Sequence, residues 1–248
     1  MASSAAGRIP MMWCVAEPEF AMCNLYSETS NQDAIRDLVG AFEDRVGNLP
    51  IYRSIFPDKL APVVRNTPSG KRELVNLRWA MPSPPAFLKP GQIDPGVTNV
   101  RNASSPHWRR WLEPANRCVV PATAFCEPST LPDPATGRKV WTWFALGEAR
   151  PLFAFAGIWC DWRGVRGTKK APEEGDHSLY GFLTTAPNGV VKAVHEKAMP
   201  VILRTRNEVD VWMNAPRQVA LELQRPLPDD ALKIVLRDAK EDTALAAS

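Results

Sequence analysis

Little in this sequence could hold a metal ion. Its five cysteines (Cys14, Cys23, Cys118, Cys126 and Cys160) include no Cys-x-x-Cys spacing, and there are only three histidines. That composition argues against the usual zinc ligand sets. The odd cysteine count also argues against a disulfide framework in a chain of 248 residues; reduced thiols in the cytoplasm fit better. No stretch approaches the ~20 apolar residues that a membrane span requires. A secretory signal is not expected either, because the apolar patch from Met11 to Ala16 is short and is followed by Glu17 and Glu19. Charge of either sign is scarce in excess, with a net of only +3. Such a balance permits a polyanionic partner, and the distribution of charge rather than its sum decides whether one binds.

What is present is an ordinary soluble composition, 45% hydrophobic and 23% charged, with nine tryptophans against three tyrosines. The tryptophans suit core packing, and their faces could also stack unpaired bases. The spacing predicts a helix over 27–42, capped by Ser30 or Asn31, with Ile35, Leu38, Val39 and Phe42 on one face. Two alternating runs, 59–65 and 73–79, flank the turn at Pro68–Lys71 and predict a hairpin. Residues 82–96 hold five prolines and two glycines and predict an irregular loop. A short helix is expected over 106–112, one buried strand over 118–125, and further strands over 140–146, 152–159 and 179–185. Between them, 163–177 predicts a charged, mobile loop. A helical turn over 188–194 and helices near 209–213 and 218–223 complete the pattern. Many short strands and few helices imply an α+β fold, a single domain on a twisted antiparallel or barrel-like sheet. Residues 1–21 predict a leader, 22–238 the catalytic domain, and 239–248 a loose tail.

Cys23 follows Met22 directly. Loss of everything before it would expose a cysteine with both an α-amine and a thiol. The amine, with a pKa near ~7.7–8.0, is largely nucleophilic at neutral pH, unlike a lysine near ~10.4. It can condense with an aldehyde, and the thiol can then close a thiazolidine ring. Three polar residues stand at the edges of apolar runs: Asn99 in Thr-Asn-Val-Arg, Glu127 in Ala-Phe-Cys-Glu-Pro, and His195 in Val-His-Glu-Lys-Ala-Met-Pro. A buried carboxyl such as Glu127 can shuttle protons near neutrality, and an imidazole can protonate a sugar ring oxygen. Alone, each has an ordinary reading: a buried thiol, a turn amide, a strand-end carboxylate, a structural histidine.

Together, from Met22 to about Lys233, these motifs resemble the SRAP (SOS response-associated peptidase) family, the abasic-site processing proteins. The resemblance implies a cysteine nucleophile at Cys23, positioning and proton transfer by Asn99 and Glu127, and ring opening by His195. It implies a partner, single-stranded DNA containing abasic sites, captured covalently as a thiazolidine cross-link, with no cofactor and no metal. The protein would then be a cytoplasmic monomer, nucleoid-associated when on DNA. Where the family often has Cys-Gly-Arg, this chain has Cys23-Asn24-Leu25, and its Asn-x-Arg-x-Glu ends in Ala103. Trp-Gly becomes Trp79-Ala80. Asn24, Arg101, Arg109, Arg110, Arg117 and Lys197 are the candidate DNA contacts. Residues 1–21 are expected to be either an extended gene start or a segment removed, by self-cleavage or otherwise. A thiol peptidase using Cys23 with His195, and a non-covalent single-stranded DNA-binding module, are the alternatives.

Overall fold

The computed structural model describes residues 23–243. From the start of this range come β1 (Tyr26–Glu28), α1 (Gln32–Val39), β2 (Glu43–Asp44), β3 (Tyr52–Ile55), β4 (Leu60–Asn66) and β5 (Arg72–Trp79). Next are β6 (Asn99–Val100), α2 (Pro106–Arg109), β7 (Arg117–Ala122), β8 (Ala124–Pro128) and β9 (Trp141–Ala145). The remainder is β10 (Phe153–Thr168), β11 (Ala171–Thr185), α3 (Gly189–Lys192), β12 (Met199–Pro200), β13 (Ile202–Leu203), α4 (Arg206–Asn214), α5 (Arg217–Leu221) and β14 (Lys233–Arg237).

Five strands close a barrel. The order β5–β4–β7–β10–β11 is antiparallel throughout, and β11 returns to β5 in parallel through Leu179 opposite Arg78 and Tyr180 opposite Trp79. A second sheet, in the order β14–β9–β8–β1–β3, lies beside it. Period-two alternation sorts the barrel side chains onto two buried faces. Ala61, Val63, Leu77, Trp79, Val120, Phe153, Phe155, Tyr180 and Phe182 join Tyr26, Phe125 and Phe144 of the second sheet. Their alternates, among them Val64, Leu74, Val119, Ala154, Ile158 and Leu183, pack against Ile35 and Val39 of α1 and Val209, Trp212 and Met213 of α4. Both faces being covered explains why these strands read as near-continuous apolar runs. The expected α+β fold on a barrel-like sheet is the one observed.

Local chemistry sets the helix ends. Asn31 accepts from the Ala34 amide as N-cap of α1, and Thr205 with Glu208 forms a reciprocal capping box on α4. The hairpin of β4 and β5 forms as expected, with Val63 opposite Val75.

Four expectations are corrected. Residues 26–28 form a strand rather than the first turn of a helix, because the second sheet claims Tyr26 through Ile55 and Phe125. The strand expected over 118–125 is two strands in different sheets, broken at Thr123, whose amide bonds the Ser27 carbonyl. Residues 163–177 are not a loop: β10 and β11 continue as a paired ribbon to Thr168 opposite Ala171. Its pairs are polar, Arg163 opposite Asp176 with an ion pair of 3.1 Å and Trp162 stacked on His177, so no apolar alternation betrayed it. The tail expected from 239 is fixed at its start, since Trp143 Nε1 bonds the Ala239 carbonyl and buried Asp242 pairs with buried Arg150. Residues 1–22 and 244–248 lie outside the described residues.

Candidate functional site

Four buried polar side chains come from four separate places in the chain. Cys23 enters just before β1, and Cys126 of β8 donates its amide to the Leu25 carbonyl, so residues 23–25 run beside Cys126 and Glu127. Glu127 is held on β8 opposite Thr142 of β9. Asn99 is held on β6, paired in parallel with Phe182 of β11. His195 follows α3, and the Thr130 amide bonds the Val194 carbonyl at 3.0 Å, which ties this segment to the end of β8.

All four side chains are buried: Cys23 at 0%, Glu127 at 1%, His195 at 5% and Asn99 at 7% exposure. Asn99 Nδ2 donates to the Cys23 carbonyl at 3.1 Å and to Thr98 Oγ1 at 2.8 Å. Burial pushes the Glu127 carboxyl well above the usual carboxylate range; the backbone N–H and thiol of Cys23, both facing it, pull it down only in part. Those contacts fall short of hydrogen-bond geometry, and neither carboxyl oxygen has a bonded partner. Burial, and then the neighbouring Glu127, hold the Cys23 thiol well above its ordinary value. Burial also lowers His195, against the pull of the Pro128 carbonyl, and the charges of Lys197 and Lys139 lower it further. Neither of its ring nitrogens completes a hydrogen bond. The Cys23 thiol donates to the Leu25 carbonyl at 3.7 Å. A buried acid and a buried base without completed hydrogen bonds destabilise a fold, and their place beside a buried thiol makes this the candidate chemical site.

Asn99, Glu127 and Cys23 are thus joined directly, and His195 reaches them through the Pro128 backbone. The candidate DNA contacts divide. Asn24 accepts from the Thr98 hydroxyl beside the site. Arg101 and Lys197 are exposed, with Arg101 Nη1 3.4 Å from the Lys197 carbonyl. β6 ends at Val100, so strand parity does not place Arg101 on the same face as Asn99: one is exposed and the other buried. Arg109 and Arg110 are exposed at the end of α2, and Arg110 lies 3.9 Å over the Trp111 ring. Arg117 is a correction: it is fully buried and donates to the carbonyls of Leu112, Trp212 and Ala215, so it closes the barrel onto α4 and meets no phosphate. Two residues escaped the sequence reading. Thr98 stood inside the Thr-Asn-Val-Arg motif; Lys139, in a turn far along the chain, carried no signal.

Among the described residues no cluster of His, Cys, Asp and Glu could hold a metal, and no helix is long and apolar enough to cross a membrane. Cys23, Cys118, Cys126 and Cys160 are all unbridged.

No curated protein matches the chain. Two crystal structures from Bordetella bronchiseptica share its fold. One is similar at 22% identity with a TM-score of 0.63, over 88% of this chain and 99% of the other. A phage-related protein is similar at 21% identity with a TM-score of 0.61, over 85% and 92% respectively. A family model for the SOS response associated peptidase (SRAP) matches residues 22–237. That span takes in the barrel, the second sheet and all four buried polar groups, and the chain belongs to the SOS response associated peptidase family.

Proposed function

We propose that the protein captures abasic sites in single-stranded DNA through the α-amine and thiol of Cys23, once the residues before it are gone. One observation carries this reading: a buried, unbonded carboxyl, Glu127, faces both the backbone nitrogen and the thiol of the same cysteine. A carboxyl held protonated there has a task at each step. His195, kept neutral and buried, accepts and returns the proton that opens the deoxyribose ring to its aldehyde. The Cys23 amine adds to the carbonyl carbon, giving a carbinolamine. Glu127 gives its proton to the carbinolamine hydroxyl, which leaves as water, and takes the nitrogen proton back from the resulting iminium, so that an imine remains and the carboxyl is restored. The Cys23 sulfur then bonds the imine carbon; the thiol proton passes to the ring nitrogen. The balance is one water lost and two bonds made to the sugar carbon. Asn99, bonded to the Cys23 carbonyl, fixes the nucleophile without adding charge. Lys197, Arg101 and Asn24 line the approach for the phosphate backbone, so binding weakens as salt rises.

The same arrangement suits removal of the leader, since the Cys23 nitrogen facing Glu127 is the leaving group of the bond that must break. Attack of water on the Met22 carbonyl carbon, with proton donation to that nitrogen by Glu127, would leave a Met22 carboxylate and a free Cys23 amine and make the chain its own first substrate; this joins the peptidase name to the capture chemistry.

Intact mass spectrometry after incubation with abasic single-stranded DNA tests the reading. A chain beginning at Cys23 should gain one DNA strand, stable to denaturant, and Cys23→Ala should gain none. An adduct that persists in Cys23→Ala would assign the nucleophile elsewhere. Turnover of unrelated peptides, blocked by thiol alkylation and without any DNA adduct, would favour a general peptidase.

A further inference from the structure

We propose that Thr98 is a positioning residue for this site, acting through Asn99 and Asn24; the inference rests on the capture reading above. Asn99 Nδ2 directs its two protons at two oxygens, the Cys23 carbonyl at 3.1 Å and Thr98 Oγ1 at 2.8 Å. The Thr98 oxygen is therefore an acceptor on that side. Its own proton goes to the other neighbour, Asn24 Oδ1 at 3.2 Å. This hydroxyl helps set which way the Asn99 amide faces, together with the Cys23 carbonyl, and it also holds the residue directly after Cys23. An amide has no intrinsic preference between its two flipped orientations; its partners impose one. With a methyl in place of the hydroxyl, the Nδ2 proton would lose an acceptor in a buried site, and the amide would turn or shift.

The backbone that carries Thr98 is itself fixed. Its carbonyl accepts from Trp79 Nε1 at 3.2 Å, and Met81 and Val97 exchange both backbone hydrogen bonds just before it. Ahead of them, buried Asp94 takes the Ser83 amide, the Ser83 hydroxyl and the Gly96 amide. Buried Arg166, reaching in from β10, donates to the Ala80 carbonyl at 2.9 Å and lies 3.6 Å from the Asp94 carboxylate. The guanidinium fills the space beside Gly96: a Cβ there would sit 2.4 Å from Arg166 Nη1. Thr98 is only partly buried and contributes nothing to either apolar cluster. Both partners of its hydroxyl belong to the site, so its identity answers to the site and not to the core.

The test uses single-turnover capture of abasic single-stranded DNA, read at saturating DNA and as a function of DNA concentration. Thr98→Val keeps the shape and removes the hydroxyl; Thr98→Ala removes hydroxyl and methyl; Thr98→Ser restores the hydroxyl alone. Both hydroxyl-free variants should form the adduct on the order of 10-fold more slowly at saturation, with half-saturating DNA and melting temperature near those of the unmutated protein. Thr98→Ser should capture at close to the original rate. Thr98→Val as fast as the unmutated protein would overturn the inference, as would Thr98→Ser as slow as Thr98→Val, since a hydroxyl at this position would then not suffice for the rate. An unmutated protein that forms no adduct would overturn the capture reading itself, and this inference with it.

Discussion

A carboxyl group buried without a hydrogen-bond partner weakens a fold, and Glu127 is such a group. Its folded pKa lies well above the ordinary 4.5, chiefly through burial, so the folded state holds the proton more tightly than the unfolded chain does. Stability therefore declines as pH rises from the unfolded value toward the folded one. Glu127→Gln removes that penalty and should melt higher than the unmutated protein at pH 8. The same variant cannot give a proton to the carbinolamine, and capture should slow by roughly 10²–10⁴-fold. In the unmutated protein, capture should fall as pH climbs through the elevated carboxyl pKa. Melting curves and single-turnover rates across pH check both statements, and a Glu127→Gln protein that is no more stable at pH 8 would contradict the first. The wider lesson at this scale is that Cys23, Asn99, Glu127 and His195 stand out in sequence only as a set, through the resemblance of their motifs to the SRAP family, because each alone has an ordinary reading. Their protonation states were not legible, since burial at 0–7% exposure comes from strands distant in the chain.

At the scale of elements, the apolar strands and helix caps could be read directly, while the polar ribbon of β10 and β11 could not. Its stability comes from cross-strand charge and ring pairs and from buried Arg166, and its two-residue turn, Lys169–Lys170, carries no glycine or proline to announce it. A strand read by apolar alternation is invisible when its partners are charged. Yet this ribbon fixes the loop before Asn99. Gly96 has φ of +72° and no room for a side chain, Arg166 Nη1 and Ala80 Cβ being 2.4 and 2.6 Å from where its Cβ would stand. Gly96→Ala adds left-handed strain to an overpacked contact and should cost about 2–4 kcal/mol, read by denaturant unfolding. Arg117 shows the converse failure. It was expected at a DNA phosphate, but a sequence does not reveal that an arginine within a buried strand finds three carbonyls for its Nε and Nη1.

For the whole molecule, the chain's last described residues close the second sheet from outside the family-matched span, which ends at 237. Asp242 is fully buried, accepts from Arg150 at 3.1 Å and from the Ser27 hydroxyl at 3.0 Å, and donates its amide to the Arg53 carbonyl. Asp242→Asn leaves the Arg150 guanidinium buried without its counter-charge and should cost about 3–5 kcal/mol. Chemical denaturation would measure it, and the double change Asp242→Leu with Arg150→Met should recover most of the loss. The contact with Ser27 also brings residue 242 against a residue four places after Cys23 in sequence. A short linker could therefore join residue 243 to Cys23, and the chain could be reopened at the exposed Lys169–Lys170 turn. Such a circular permutant would keep the barrel, the thiol and, on the capture reading, the surface proposed to meet DNA, while the Cys23 nitrogen would be locked in a peptide bond. Affinity for abasic DNA and covalent commitment to it would then be separated within one fold.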